Sequence, residues 1–190
     1  MARLTNISIS NDSTGIYQPK RKNQWYVEIA PPNSTNFTTF AIKSTGLPGG
    51  TFNEVVIDYM NSKFYFPGKW EWETISMTLR DFIGENSSQK LYDWFTSQFS
   101  PEKGGQAMGG EVKSNIIISL LDPRGSVIER WTLMGAFLKE AKWGDLDYSD
   151  DGERELTITI RYDYATLQSD VNAPNNYNIN LEEDDTNSDI

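Results

Sequence analysis

The sequence predicts a mainly β domain, a sandwich or barrel carrying one α-helix. Three observations carry this. Residues 74–80 and 155–164 alternate strictly between apolar and polar side chains, the period of a half-buried strand. Short runs rich in β-branched and aromatic residues recur between Gly/Pro clusters. One segment alone has helical period.

In chain order, residues 1–22 are polar, include Asn11-Asp12-Ser13-Thr14-Gly15, and read as a poorly ordered arm. Trp25-Tyr26-Val27-Glu28-Ile29 reads as a first strand, stopped by Pro31-Pro32, and residues 37–45 as a second, ended by Gly46-Leu47-Pro48-Gly49-Gly50. Residues 51–58 and 62–66 are extended pieces around Tyr59-Met60-Asn61, and Pro67-Gly68 reads as a turn. In 74–80, Ile75, Met77 and Leu79 share one face. Leu91, Trp94, Phe95 and Phe99 then fall at spacings of three and four, predicting a helix over 88–98 with a cap in Ser87-Ser88-Gln89. Residues 101–111 read as a glycine-rich loop. Strands follow at 115–121, 127–134 and 137–143, the first two joined by the turn Asp122-Pro123-Arg124-Gly125. The last strand, 155–164, has the polar face Glu155, Thr157, Thr159, Arg161 and Asp163.

Composition closes most other functional classes. The chain has 190 residues, one domain's worth, and no apolar run long enough to span a bilayer. No signal peptide is evident, which predicts synthesis in the cytoplasm. The absence of cysteine and histidine removes disulfides, thiolate chemistry, the Ser-His-Asp triad and the usual zinc sets. A net charge of −10 argues against a nucleic-acid reader. The charge is uneven. Residues 168–190 carry six acids and no base, whereas the first 24 are net +3, a pattern that fits either a solubilising tail or subunits meeting head to tail.

Several motifs reduce to turns. Asp147-Tyr148-Ser149-Asp150-Asp151-Gly152 copies the start of an EF-hand loop, but its twelfth position is Ile158 and a strand follows. The Lys103–Gly110 stretch lacks the ending of a phosphate loop. Glu71/Glu73 and Asp145/Asp147 show no sign of the burial that splits two carboxyl pKa values, so no enzyme and no cofactor are expected. Trp25, Trp94 and Trp131 sit among apolar residues and read as core. Trp70 and Trp72 share a strand face, as subunit-interface anchors or as the sugar platform of a carbohydrate-binding module.

The order of short motifs resembles the tail tube proteins of contractile-tailed bacteriophages. Asn23-Gln24-Trp25-Tyr26-Val27-Glu28-Ile29 and Lys43-Ser44-Thr45-Gly46-Leu47-Pro48-Gly49 look like that family's opening. Met60-Asn61-Ser62-Lys63, Pro67-Gly68-Lys69 and Trp72-Glu73-Thr74-Ile75-Ser76-Met77-Thr78 continue it, and Tyr92-Asp93-Trp94-Phe95 falls at its helix. The end is similar too: Gly135-Ala136-Phe137-Leu138-Lys139, Gly144-Asp145-Leu146-Asp147-Tyr148-Ser149 and Ile160-Arg161-Tyr162-Asp163-Tyr164. The likeness covers 23–166. It leaves 1–22 as an arm and 167–190 as an acidic tail, both longer than is usual in the family.

The resemblance implies a structural virion protein whose strands join those of its neighbours into a closed, hexameric β-barrel, with rings stacked into a tube. Its implied partners are further copies of itself, the tail sheath, and the baseplate and tail-terminator proteins. DNA passes through the lumen without specific binding, and no membrane is involved. Four strands per subunit make a barrel of about 24 strands; at ~4.8 Å spacing and ~40° tilt the bore is about 38 Å, wide enough for duplex DNA. The related alternative is a tube or tube-initiator protein of another contractile injection system or baseplate. The expected interface residues are Phe64, Tyr65, Phe66, Trp70 and Trp72. The expected lumen residues are Thr74, Ser76, Thr78, Glu155, Thr157, Thr159, Arg161 and Asp163, a face of acids and hydroxyls that would not grip phosphates; the same face also suits the outside of a sheet.

Overall fold

A computed structural model describes residues 19–32 and 36–169; most of the predicted arm and the tail beyond Ser169 lie outside the described residues. Its strands are β1 (Trp25–Ile29), β2 (Ile42–Thr45), β3 (Gly50–Tyr59), β4 (Ser62–Trp72), β5 (Ile75–Arg80), β6 (Phe99–Ser100), β7 (Gly105–Gln106), β8 (Ser114–Leu121), β9 (Val127–Lys142), β10 (Glu155–Arg161) and β11 (Tyr164–Ser169). The helices are α1 (Ser87–Gln98) and the single turn α2 (Gly109–Val112). The fold is mainly β with one main helix, as the alternation predicts.

All strand pairings are antiparallel, and the main sheet runs β1-β8-β9-β10-β5-β2 with β11 also on β9. The 16-residue β9 organises it. Its first half pairs with β8 and β11, its second half with β10. The apolar faces of both halves meet in one core: Val27, Ile29, Ile116, Ile118 and Leu133 from the first, Ile75, Met77, Leu79, Leu156, Ile158 and Ile160 from the second. Leu91 and Trp94 of α1 are fully buried in the same core, with Phe37 against Trp94 and Phe95 edge-on to Trp143. Each such aliphatic side chain contributes about 1.5–3 kcal/mol by leaving water.

The structure departs from the expected elements where backbone geometry overrides pattern. The strands expected at 127–134 and 137–143 are one strand. Gly135, at φ +65°, sits at a register shift where three residues of this strand pass two of β8, and the strand continues across the bulge. The ten-residue strand at 155–164 is conversely two, because the chain bends at Tyr162 and Asp163 to leave β10 and join β9 as β11, which continues to Ser169. Residues 37–45 form a bridge at Phe37, a 3₁₀ turn at Thr39–Ala41 and then β2. The expected loop at 101–111 contains β7 and most of α2.

Helix α1 begins one residue earlier than expected. Asn86, in the left-handed region at φ 43°, is its cap, and its side chain accepts from the Gln89 amide at 3.0 Å. Asp81 accepts from the Ser88 amide and hydroxyl at 3.1 and 2.6 Å. Phe99 falls beyond the helix, in β6. Glu85 clamps this corner: its carboxylate accepts from Lys90 Nζ at 2.7 Å and from the Thr38 amide at 3.1 Å, joining the β1–β2 connection to the helix start.

Two stability changes are expected of the unassembled chain. Gly144, at φ +73°, lies just after β9 beside the start of β10; a Cβ there would lie 2.3 Å from the Glu155 carbonyl oxygen. Gly144→Ala should cost about 2–4 kcal/mol in urea unfolding, against about 1 kcal/mol for Gly125→Ala, where φ is +86° but the space is open. The Lys90 ammonium, followed by the Thr38 hydroxyl, holds the Glu85 carboxyl below its ordinary range. A lowered folded-state pKa stabilises above the unfolded value and loses that contribution as pH falls through the folded value. Glu85→Gln should therefore destabilise at neutral pH, with the two unfolding curves converging below about pH 4.

Candidate assembly surfaces

Residues 51–58 and 62–66, expected as extended pieces around Tyr59-Met60-Asn61, belong to one ribbon. β3 and β4 form a two-stranded sheet of their own, turning at Met60, and all its residues are exposed or half-buried. The register places Val55 opposite Phe66, Ile57 opposite Phe64 and Tyr59 opposite Ser62, so one face is apolar for most of its length. The other carries Glu54, Val56, the Asp58–Lys63 pair and Tyr65. An isolated ribbon of this kind is marginally stable in water and exposes an apolar surface that suits a partner.

Pro67-Gly68, expected as a turn, lies inside β4 at a bulge. Between Phe52 and Glu54 the register advances two residues on β3 but three on β4. A Cβ at Gly68 would sit 2.7 Å from the Asn53 carbonyl oxygen, which explains the glycine. The extra residue reverses side-chain parity. Phe64 and Phe66 stay on the apolar face, whereas Trp70 and Trp72 move to the other, with Phe52. There Phe52, Trp70, Trp72 and Tyr162 form a chain of ring contacts leading from the ribbon root into the core. Of the five expected interface residues, Phe64, Tyr65 and Phe66 are thus exposed on the ribbon, Trp70 stands at its root and Trp72 packs on the core. The Trp70 and Trp72 rings cross at 86°, so they offer no coplanar platform to a sugar. Val55, Val56 and Ile57 are exposed on the same ribbon but are not among the expected interface residues; the alternation of Val55, Ile57 and Tyr59 is the sequence signal for its apolar face.

The expected lumen residues lie mostly on one surface. β2, β5, β10 and the second half of β9 form a four-stranded half-sheet, with Thr157 opposite Thr78 and Thr159 opposite Ser76. Thr159 also faces Glu140, and its hydroxyl donates to that carboxylate at 3.4 Å. Thr74 precedes β5 and is half-buried. Asp163 is on the bend after β10, bound to Lys113 at 2.7 Å. The acids on this side are matched by cations: Glu155 and Glu153 hold Lys43, Glu153 meets Arg80 at 3.1 Å, Glu71 meets Arg161 at 3.5 Å, and Glu140 meets Lys142 at 2.9 Å. The hydrogen bonds to Glu153 and then Glu155 hold Lys43 more basic than usual, and Lys43 holds Glu153 more acidic. The surface is rich in hydroxyls and close to charge balance rather than acidic. Among the described residues no three carboxylates converge to hold a metal. Asp147 and Asp150 instead accept from Ser149 and Gly152, as in tight turns.

Both ends of this half-sheet are open. Among the described residues β2 pairs only with β5, and the second half of β9 pairs only with β10. Strand direction alternates across all four.

Comparison with known proteins places this arrangement. Residues 21–166 match the family described as T4-like virus tail tube protein gp19. The chain is 24% identical over 152 residues to a tail tube protein of Serratia phage KSP90, covering 75% of this chain and 85% of that one. It is 25% identical over 149 residues to tail tube protein gp19 of Enterobacteria phage T4, covering 76% and 89%. Among solved structures it superimposes on the tube-terminating cap of the anti-feeding prophage with a TM-score of 0.63 at 19% identity, covering 86% of this chain and 99% of that one. A chain of the sheath-tube complex of the extracellular contractile injection system PVC gives 0.63 at 17% identity, covering 89% and 99%. An apolar ribbon, an open-edged half-sheet and a match over nearly all the described residues agree: the chain belongs to the T4-like virus tail tube family, the structural tube subunits of contractile phage tails.

Proposed function

We propose that copies of this chain close into hexameric rings by pairing the β2 edge of one subunit with the second half of β9 in the next. The observation that carries this reading is the half-sheet with two free edges and alternating strand direction. β2 and β9 run in opposite senses, so their pairing extends the same antiparallel order through every subunit boundary, and the ring leaves neither edge of this half-sheet exposed. The hydroxyl face carrying Ser76, Thr78, Thr157 and Thr159 then lines the bore. It carries no excess of cations to hold phosphates by counterion release, so duplex DNA slides rather than binds. The ribbon extends from the wall and buries Val55, Ile57, Phe64 and Phe66 against neighbouring subunits or rings. Sheath, baseplate and terminator proteins are the remaining partners of such a tube, which conducts viral DNA in a virion. The role is mechanical and assigns no residue a catalytic task.

Negative-stain microscopy of the purified protein tests this: rings or stacked tubes support it, and persistent monomers under polymerising conditions contradict it. Phe64→Asp with Phe66→Asp should leave the circular dichroism spectrum unchanged and unfolding stability within about 0.5 kcal/mol, yet abolish tubes. Tubes formed normally by that variant would remove the ribbon from the interface. Thr159→Lys sets a cation beside Glu140 and places one lysine per subunit on the bore. Tubes should still form, and particles carrying the variant should release DNA more slowly in an ejection assay. Intact tubes with unchanged release would assign the hydroxyl face elsewhere.

A further inference from the structure

A groove of about 410 Å³ opens where the Trp25 end of β1 and β8 faces β2. Its apolar lining is Trp25, Leu47, Ile118 and Leu120, and Lys20-Arg21-Lys22 and Lys43 line it with positive charge. Lys20 is bound to Glu129, and Lys43 to Glu153 and Glu155. Arg21 and Lys22 are exposed and form no ion pair among the described residues.

We infer that residues 177–185 of the same chain, Tyr-Asn-Ile-Asn-Leu-Glu-Glu-Asp-Asp, dock in this groove. Three independent features select that segment. First, Tyr177, Ile179 and Leu181 recur at period two and suit the apolar lining, and the acids Glu182 to Asp185 follow at once and complement the basic residues beside it. Second, the chain leaves β11 at the correct end of the sheet. Ser169 pairs with Glu129, Glu129 with Leu120, and Leu120 with Trp25, so the exit point and the groove share one row across the strands. Third, the reach suffices. Three strand spacings are about 14 Å, and the connection from Ser169 to Tyr177 extends up to about 26 Å. Docking within one chain therefore needs no second subunit. The groove adjoins the β2 edge, so a docked segment stands beside the strand available for pairing.

The absence of cysteine makes a clean test possible. Ser44→Cys with Asn180→Cys is introduced into the full 190-residue chain, kept dilute and unassembled, and treated with a short bis-maleimide. A cross-link within single molecules is expected, well above that of an Asp58→Cys/Asn180→Cys control at the ribbon tip. Adding Arg21→Glu and Lys22→Glu should reduce its yield roughly fivefold, the worth of about two exposed ion pairs, and 1 M salt should do the same to the parent pair. Unchanged circular dichroism keeps the charge variant interpretable; if it misfolds, the salt arm alone decides. A yield no higher than the control, a yield indifferent to salt, or cross-links only between mixed single-cysteine molecules would each overturn intramolecular docking. Tube formation is not part of the readout, so the result stands apart from the ring proposal.

Discussion

Backbone hydrogen bonding is the constraint on which this molecule turns. A strand interior to a sheet satisfies its N–H and C=O groups on both sides; a strand at an edge leaves one row unpaired. Here the core is complete within one chain, since Leu156, Ile158, Ile160 and their neighbours are already dry. The hydrogen-bonding pattern is not complete. Among the described residues β2 and the second half of β9 each present a free edge, and the alternating directions between them make those edges mutually complementary. Apolar burial thus fixes the subunit, and unpaired backbone supplies a directional reason to assemble.

β9 makes both outcomes possible. Because one strand serves two half-sheets, the half facing the hydroxyl surface is tied covalently to the half that meets β8 and β11. Gly135 permits this. With its φ in the left-handed region, the chain changes direction while the amide of Asp163 still reaches the Met134 carbonyl at 3.0 Å. The ribbon is a different device: among the described residues its two strands pair only with each other, so it offers a neighbour apolar surface as well as an unpaired outer row on each strand.

Much of this was legible in the sequence. The alternation of Ile75, Met77 and Leu79 and of Leu156, Ile158 and Ile160 reported buried strands because one face is wet and the other dry. The spacing of Leu91, Trp94 and Phe95 reported α1 for the same reason. The features that remained hidden depend on backbone angles, which apolar patterning does not record. Pro67-Gly68 has turn chemistry yet forms a bulge, because Asn53 packs against the bare glycine. Asn86 caps α1 from the left-handed region although Ser87 and Ser88 are equally good caps by type. The acids of the hydroxyl face read as repulsive in sequence; their cations, Lys43, Lys113 and Arg80, come from other strands and loops and become visible only in three dimensions.

The proposed ring joins β2 to the second half of β9 between subunits. Amide hydrogen exchange, compared between the unassembled chain and the polymer, addresses it residue by residue. If these edges join, the outward-facing amides within 42–45 and 137–142, which have no partner strand in the single chain, exchange quickly there and become strongly protected on assembly, while those of β10, already paired on both sides, change little. Polymer in which the two edges exchange as fast as in the free chain would contradict it.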